Sequence, residues 1–253
     1  LLDEFEKARQ WRKQVGADSV LREGLAPKLL AVQVESLQYG STTAGLPVYV
    51  ESMEGWRQAL ALARRAASKE EFLRTRVLWS ELCLHRCNAL HVAGRGNGQF
   101  VVVMDCGSLG DMGFAEARQC WPYLKAAVVG VALNYAGCCR RVYISRPPRL
   151  FWWAWRLLQP FLPEQTKKKV SMLPARKGGG APELSDFGDE AFTTMAPTSL
   201  PVFLGGSATA AVFELRDSGA GIGSGDDDED EEGEGVEDEL DGEEEVDDDP
   251  MPE

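Results

Sequence analysis

Cys83, His85 and Cys87 are the residues whose types and close spacing first suggest chemistry, because thiolates and imidazole are the usual ligands of zinc. They lie in a segment with apolar periodicity, residues 69–92, that predicts a helix. On a helix Cys83 and Cys87 share a face, whereas His85 points about 160° away. The three side chains cannot converge, so we predict no metal site. We interpret the chain's six cysteines as reduced, mostly buried side chains of a cytosolic protein.

Catalytic chemistry has little support in the sequence. Both histidines, His85 and His91, fall in one predicted helix, and no nucleophile is paired with a base. Asp105 ends an apolar strand, where a catalytic carboxylate could stand, but an ordinary strand-end cap is the simpler interpretation. Glycines 94, 96 and 98 precede that strand, whereas a phosphate loop follows its strand and opens a helix. We therefore predict a turn at the glycines and expect neither an enzyme nor a cofactor.

Residues 150–162 form the most unusual segment, with three of the chain's seven tryptophans. An amphipathic surface helix shows one apolar stripe, but this one leaves only a narrow polar strip. It is either a core helix with large side chains or a helix that meets lipid or another apolar ligand. Trp favours sites where one end of its ring is hydrated and the other is in apolar surroundings, such as a membrane interface. The large apolar side chains are Phe151, Trp152, Trp153, Trp155, Leu158 and Phe161.

Basic residues flank this segment on both sides. Such bases could hold anionic headgroups, at about 1 kcal/mol per residue near a charged leaflet, or could form an ordinary solvated cluster. We predict no nucleic-acid binding, because the aromatic residues are not interleaved with the bases. The membrane-contact candidates are Arg146, Arg149, Lys167 and Lys168.

Helix and strand patterns alternate along the chain. This alternation predicts a layered α/β domain whose central sheet is parallel or mixed. No segment reaches the roughly 20 apolar residues that span a bilayer. The predicted helices are 3–24, 56–67, 69–92, 114–135, 150–162 and a short one near 185–193. The predicted strands are 47–51, 100–105, 141–145 and 170–173, and residues 200–206 close the fold.

The net charge of −13 is unevenly distributed. Of the 40 Asp and Glu, 19 lie in residues 226–253, which contain no Lys or Arg. The remainder carries 21 acids against 27 bases and is therefore net positive. The tail has too few apolar residues to fold, so we predict that it is disordered. It either solubilises the protein or competes with anionic lipid for the basic surface, and only the second role predicts stronger binding to anionic vesicles after truncation.

Several segments together resemble the CRAL-TRIO lipid-binding domain, in the branch of the yeast phosphatidylinositol/phosphatidylcholine transfer proteins. The likeness covers about residues 8–207 and rests on the order and spacing of the segments. The segments are Trp11-Arg12-Lys13 with Gly16 and Asp18, 45–50, 103–105, Asn134-Tyr135, 141–151, 159–162, 166–170, and Leu200-Pro201 with Gly205-Gly206.

The resemblance implies a CRAL-TRIO bowl with a mainly parallel central sheet flanked by helices, which encloses one lipid in an apolar cavity. Residues 150–162 fall where the family has its mobile gate helix. Thr166 and Lys169 match positions that bind the inositol phosphate in the transfer branch, although Lys169 could also be an ordinary surface lysine. Two acidic residues of that branch are missing, since Ala136-Gly137 follow Tyr135 and Thr42 precedes Pro47. Phosphatidylinositol is therefore one candidate ligand.

We expect three regions: the end of a helical subdomain at 1–24, the lipid-binding domain at 25–213, and a Gly-rich linker with the acidic tail at 214–253. Because the chain starts at Leu1 without Met, we expect a fragment or a trimmed chain. An apparent insertion at 176–196 has no assigned role. The expected function is phospholipid binding and transfer by a cytoplasmic protein associated peripherally with membranes.

The alternative is a regulatory or scaffold module with a vestigial pocket, whose acidic tail recruits a basic protein partner. Deleting residues 217–253 distinguishes the two hypotheses. Only the alternative predicts that the truncated protein loses a protein partner while its lipid exchange is unchanged or absent.

Overall fold

The computed structural model describes residues 2–30, 32–34, 36–107, 113–135, 137–176, 180, 182–187, 194–209 and 213–214. Apart from Glu214, the predicted linker and acidic tail at 214–253 lie outside these residues, as does most of the helix predicted near 185–193. The three predicted regions stay predictions.

Helices and strands alternate through the described chain. The helices are α1 (Leu2–Val15), α2 (Val20–Glu23), α3 (Pro27–Leu30), α4 (Met53–Ala66), α5 (Lys69–Val92), α6 (Phe114–Lys125), α7 (Arg149–Leu158) and α8 (Glu164–Lys168). The strands are β1 (Ser36–Ser41), β2 (Pro47–Ser52), β3 (Phe100–Asp105), β4 (Cys139–Ser145), β5 (Val170–Leu173) and β6 (Phe213–Glu214).

The six strands form one mixed sheet in the order β5-β4-β3-β2-β1-β6. The four strands from β2 to β5 are parallel, and β1 pairs antiparallel with both β2 and β6. The parallel strands follow one another across the sheet in chain order. Because crossovers between parallel strands are right-handed, all their helices are delivered to one face of the sheet. The prediction of a mainly parallel α/β fold is confirmed.

The two faces of the sheet are covered differently. The helical face carries Tyr49, Val102 and Ile144, which pack against α4, α5 and the segment after α6. The opposite face carries Val48, Val101 and Tyr143, which are covered by residues of the segment that follows β5. The covering residues are Phe187, Met195, Leu200 and Leu204.

α5 carries the three residues of the cysteine–histidine cluster, Cys83, His85 and Cys87. It begins at a capping box in which Ser68 Oγ accepts from the Glu71 N–H at 3.1 Å and Glu71 Oε2 accepts from the Ser68 N–H at 2.7 Å. Cys83 and Cys87 face the core on this helix, whereas His85 is exposed. Among the described residues no group of three or more His, Cys, Asp and Glu could hold a metal ion.

The glycines at 94, 96 and 98 form the connection between α5 and β3, and all three have positive φ. Gly96 also lies against the turn before β2, since a Cβ there would come within 3.0 Å of the Gly45 carbonyl oxygen. A side chain at this position would therefore be strained twice, by its backbone and by its neighbour. The interpretation as a turn fits this geometry.

The predicted helix at 114–135 is not uniform. α6 ends at Lys125, and the chain continues as a π-helical segment at Ala126–Val131 and a 3₁₀ turn at Ala132–Tyr135. Pro122 lies inside α6 and has no N–H for the α-helical ladder. Ala127 and Val131 of this segment are buried in the core on the helical face of the sheet.

Candidate functional site

An apolar cavity of about 210 Å³ lies between the helical face of the sheet and the helices above it. Its floor consists of side chains from β3 and β4, including Phe100, Val102 and Ile144. Its walls come from α4, α5, the π-helical segment and α7. Strand alternation explains the floor, because every second residue of a strand points to the same face.

α7 forms one wall of this cavity. Phe151, Ala154, Trp155 and Leu158 line it, and their spacing of three, four and seven residues places them on one face of the helix. On the outer side Trp152 is 44% exposed and Leu157 is 38% exposed. The helix is therefore apolar both towards the cavity and towards solvent, as its composition indicates.

Trp153 has a different environment from its neighbour Trp152. Its ring contacts Phe114 at 5.1 Å and Trp121 at 6.0 Å between centroids, both on α6. Phe161, just beyond α7, lies under the Lys125 ammonium group, which is 3.8 Å from the ring centroid. Neither Trp153 nor Phe161 lines the cavity; both attach the α7 region to α6.

A partly buried ion pair lies just before the start of α7. Arg146 follows β4 with a φ of 54°, and its guanidinium donates to both oxygens of Asp105, with Nη2 to Oδ2 at 2.7 Å. The Asp105 carboxylate also accepts from the Gly107 N–H at 3.2 Å. Asp105 thus has the capping role that the sequence favoured over catalysis. Arg146 is turned inward to this pair, and its contact with headgroups stays a prediction.

Thr166 and Lys169 both line the cavity, near the junction of α8 and β5. Lys169 Nζ donates to the Cys139 carbonyl at 2.9 Å, which places its charge beside the first residue of β4. The remaining basic candidates lie outside the cavity lining. Arg149 and Lys168 are exposed, and Lys167 pairs with Glu164 at 2.6 Å.

A buried polar group on the cavity wall was not found from the sequence. Glu51 and Arg76 form an ion pair at 3.1 Å, and their side chains are only 2% and 7% exposed. The Arg76 guanidinium carbon lies 4.5 Å from the ring of Trp56 and 4.4 Å from that of Trp79. Trp56 Nε1 donates to Glu51 at 2.8 Å. The sequence feature that could have revealed this group is Arg76, a charged residue on the core face of α5 between Phe72 and Trp79.

A second network joins α1 to the cavity. Tyr135 lines the cavity and donates its hydroxyl to Glu81, which also accepts from Arg12 of α1 at 2.6 Å. Burial and the hydrogen bond to Glu81 raise the pKa of Tyr135, so the phenol stays protonated at neutral pH. The N-terminal helix is therefore attached to the cavity wall by charge-assisted hydrogen bonds.

Within the described part of the chain, every helix is too short or too polar to cross a bilayer. This agrees with the sequence, in which no apolar run is long enough.

The fold and the cavity define an α/β protein that encloses an apolar space behind a tryptophan-rich helix. Residues 39–206 match the model of the CRAL/TRIO domain family, and the chain belongs to this family. Members of this family bind and transfer hydrophobic ligands.

Relatives of this chain include two curated proteins. The CRAL-TRIO domain-containing protein T23G5.2 of Caenorhabditis elegans is 25% identical over 201 residues, which cover 78% of this chain and 26% of that protein. Protein real-time of Anopheles gambiae is 25% identical over 215 residues, covering 80% and 28%. The chain thus spans about a quarter of the length of these relatives. The crystal structure of Sfh5 is similar over 68% of this chain and 60% of its own, with 17% identity and a TM-score of 0.48.

Proposed function

We propose that this protein binds a phospholipid with its acyl chains in the cavity and transfers it between cytosolic membrane surfaces. The apolar cavity with α7 as one wall is the observation that carries the proposal. Transfer of acyl chains out of water contributes about 0.8 kcal/mol per CH₂, so one chain contributes on the order of 10 kcal/mol. A ligand held so strongly exchanges too slowly through water, and exchange requires a membrane and an opening in the cavity wall.

α7 is the proposed gate. The cavity volume of about 210 Å³ is below the roughly 300–1,000 Å³ of sites that hold drug-sized ligands. A phospholipid is larger still, so its entry requires a wall to move outward. α7 suits this movement because its exposed side, with Trp152 and Leu157, can enter the membrane interface while its inner side leaves the ligand.

Thr166 and Lys169 are the proposed headgroup site. Their position on the cavity lining supports this role, because a hydroxyl and an ammonium group suit a phosphodiester oxygen. The likeness to the phosphatidylinositol/phosphatidylcholine transfer branch supports phosphatidylinositol, although the branch's acidic partners are absent at Ala136 and Thr42.

A transfer assay between vesicles tests this proposal. The wild-type protein is expected to move fluorescent phosphatidylinositol from donor to acceptor vesicles well above the spontaneous rate. Lys169→Ala should slow this transfer severalfold, whereas Lys69→Ala, which changes an exposed lysine outside the cavity lining, should not. Transfer at background for wild type would exclude the function, and equal effects of the two substitutions would exclude the headgroup site.

A further inference from the structure

The buried polar group of Glu51, Arg76, Trp56 and Trp79 forms a small polar region on the otherwise apolar wall of the cavity, and all four residues line it. Two of its donors already have an acceptor. Arg76 Nη2 donates to Glu51 Oε1 at 3.1 Å, and Trp56 Nε1 donates to Glu51 Oε2 at 2.8 Å. Each Glu51 oxygen thus accepts one hydrogen bond. The ionised carboxylate has no donor of its own to offer a ligand.

Two further donors of the same group have no acceptor among the described residues. They are Arg76 Nη1 and Trp79 Nε1, and both atoms are buried. They lie close together, since the Arg76 guanidinium carbon is 4.4 Å from the centroid of the Trp79 ring. A buried donor without a partner is costly, and native proteins rarely keep one without a reason. Two such donors at one place on a cavity wall indicate where a ligand supplies an acceptor.

The charge of this region selects the kind of acceptor. Glu51 neutralises Arg76, so the group has no net charge for a ligand to balance. An anionic ligand atom here would add an uncompensated charge inside an apolar cavity, close to the Glu51 carboxylate. An uncharged oxygen accepts the same hydrogen bonds without that penalty. Ser80 does not change this balance, because its hydroxyl donates to the Arg76 carbonyl at 2.9 Å.

This region is distinct from the proposed headgroup site. The strand register aligns Glu51 with Met104 and Ile144, whereas Cys139, beside Lys169, aligns with Phe100. The two rows are four residues apart along the strands, and β2 and β4 are separated by two strand spacings. At about 3.3 Å per residue and about 4.8 Å per spacing, the Cα atoms of Glu51 and Cys139 are about 16 Å apart.

We propose that Arg76 and Trp79 bind an uncharged hydrogen-bond acceptor, such as an ester carbonyl, on the hydrophobic ligand within the cavity. The inference rests on the proposed function, because it requires that the cavity holds a hydrophobic ligand. The proposed site is a second polar contact for the ligand, far from Thr166 and Lys169. It distinguishes lipids that carry an uncharged hydrogen-bond acceptor from plain hydrocarbons.

Three probes of equal chain length test the inference: methyl palmitate, palmitate and hexadecane, each displacing diphenylhexatriene from the purified full chain at pH 8. Methyl palmitate should bind about three- to tenfold more tightly than hexadecane, the range expected for one or two net hydrogen bonds. In Lys169→Ala, which lacks the ammonium group that attracts a carboxylate, methyl palmitate should also bind more tightly than palmitate. Trp79→Phe, which removes the indole N–H donor and keeps a smaller aromatic ring, should reduce the preference for the ester over the hydrocarbon at least twofold.

Trp121→Phe is the matched control, because Trp121 lies outside the cavity lining, and it should leave the preference unchanged. Arg76→Lys retains the charge opposite Glu51 but removes Nη1, and provides a second test if Trp79→Phe does not fold. Equal binding of ester and hydrocarbon by wild type, tighter binding of palmitate than of the ester by Lys169→Ala, or an unchanged preference in both variants would overturn the inference alone. If no probe displaces the dye and no phospholipid is transferred, the proposed function fails as well.

Discussion

At the residue scale, the buried pair of Glu51 and Arg76 is the least expected feature of the molecule. The residues are 25 positions apart and belong to different elements, so no local pattern links them. Their meeting depends on the packing of α5 over β2. By contrast, residues 150–162 were conspicuous from the sequence, because their composition alone is incompatible with an ordinary surface helix.

The pair also leads to a prediction about the free energy of unfolding. Arg76→Met should lower the free energy of unfolding by roughly 3–5 kcal/mol, because it leaves the buried Glu51 carboxylate without its counter-charge. Adding Glu51→Gln should recover much of this loss, since the amide is neutral and its oxygen still accepts from Trp56. Urea unfolding followed by tryptophan fluorescence measures both variants.

The control for this cycle is Arg9→Met, which breaks the exposed pair with Glu6 and should leave the free energy of unfolding nearly unchanged. If the double variant were as unstable as Arg76→Met alone, loss of packing and not the unpaired charge would explain the effect.

The buried thiols give a pH dependence. Burial raises the pKa of Cys87 and of Cys106 to about 12, from an ordinary value of 9.0. Between these values the unfolded chain loses thiol protons that the folded chain keeps, so the free energy of unfolding falls as pH rises above about 9. The contribution of these thiols is fully present below pH 9.

A Cys87→Ala/Cys106→Ala variant should therefore lose less stability than wild type between pH 8 and pH 10.5, as measured by urea unfolding at each pH. Parallel curves for the two proteins would show that these thiols do not titrate as their burial implies.

At the element scale, the strands with apolar runs were predictable. β3 and β5 have the predicted bounds, and β2 and β4 extend the predicted runs by one residue and two residues. β1 was missed because its inward positions carry polar side chains, Ser36 and Gln38, so it shows no apolar alternation. The π-helical segment was missed because six apolar residues cannot distinguish between two helical periods.

α7 supports two opposite predictions for adjacent tryptophans. Trp152→Ala should change the free energy of unfolding by less than about 0.5 kcal/mol, because the side chain is 44% exposed, yet it should slow vesicle transfer severalfold. Trp153→Ala should cost roughly 1–3 kcal/mol, because it removes contacts with Phe114 and Trp121. Thermal unfolding and the vesicle assay on the same samples separate the two effects. Equal destabilisation with no change in transfer would make α7 a purely structural helix.

At the scale of the whole molecule, the parallel sheet explains how one domain can contain a cavity between the sheet and the helices on one of its faces. Right-handed crossovers place the helices from α4 to α8 on one face, and the segment after β5 covers the other with Phe187 and Leu200. The sheet is thus supported from below while α7 closes the space above. The α7 region is attached through Trp153, through Phe161 and through the Asp105–Arg146 pair, and the proposed gating requires some of these contacts to break.

The central claim is that this cavity holds a phospholipid, and native mass spectrometry of the purified chain after incubation with mixed phospholipid vesicles tests it most directly. The expected result is a complex with one bound phospholipid, enriched in phosphatidylinositol relative to the vesicles and reduced in Lys169→Ala. A spectrum that contains only the mass of the protein, together with background vesicle transfer, would contradict the claim.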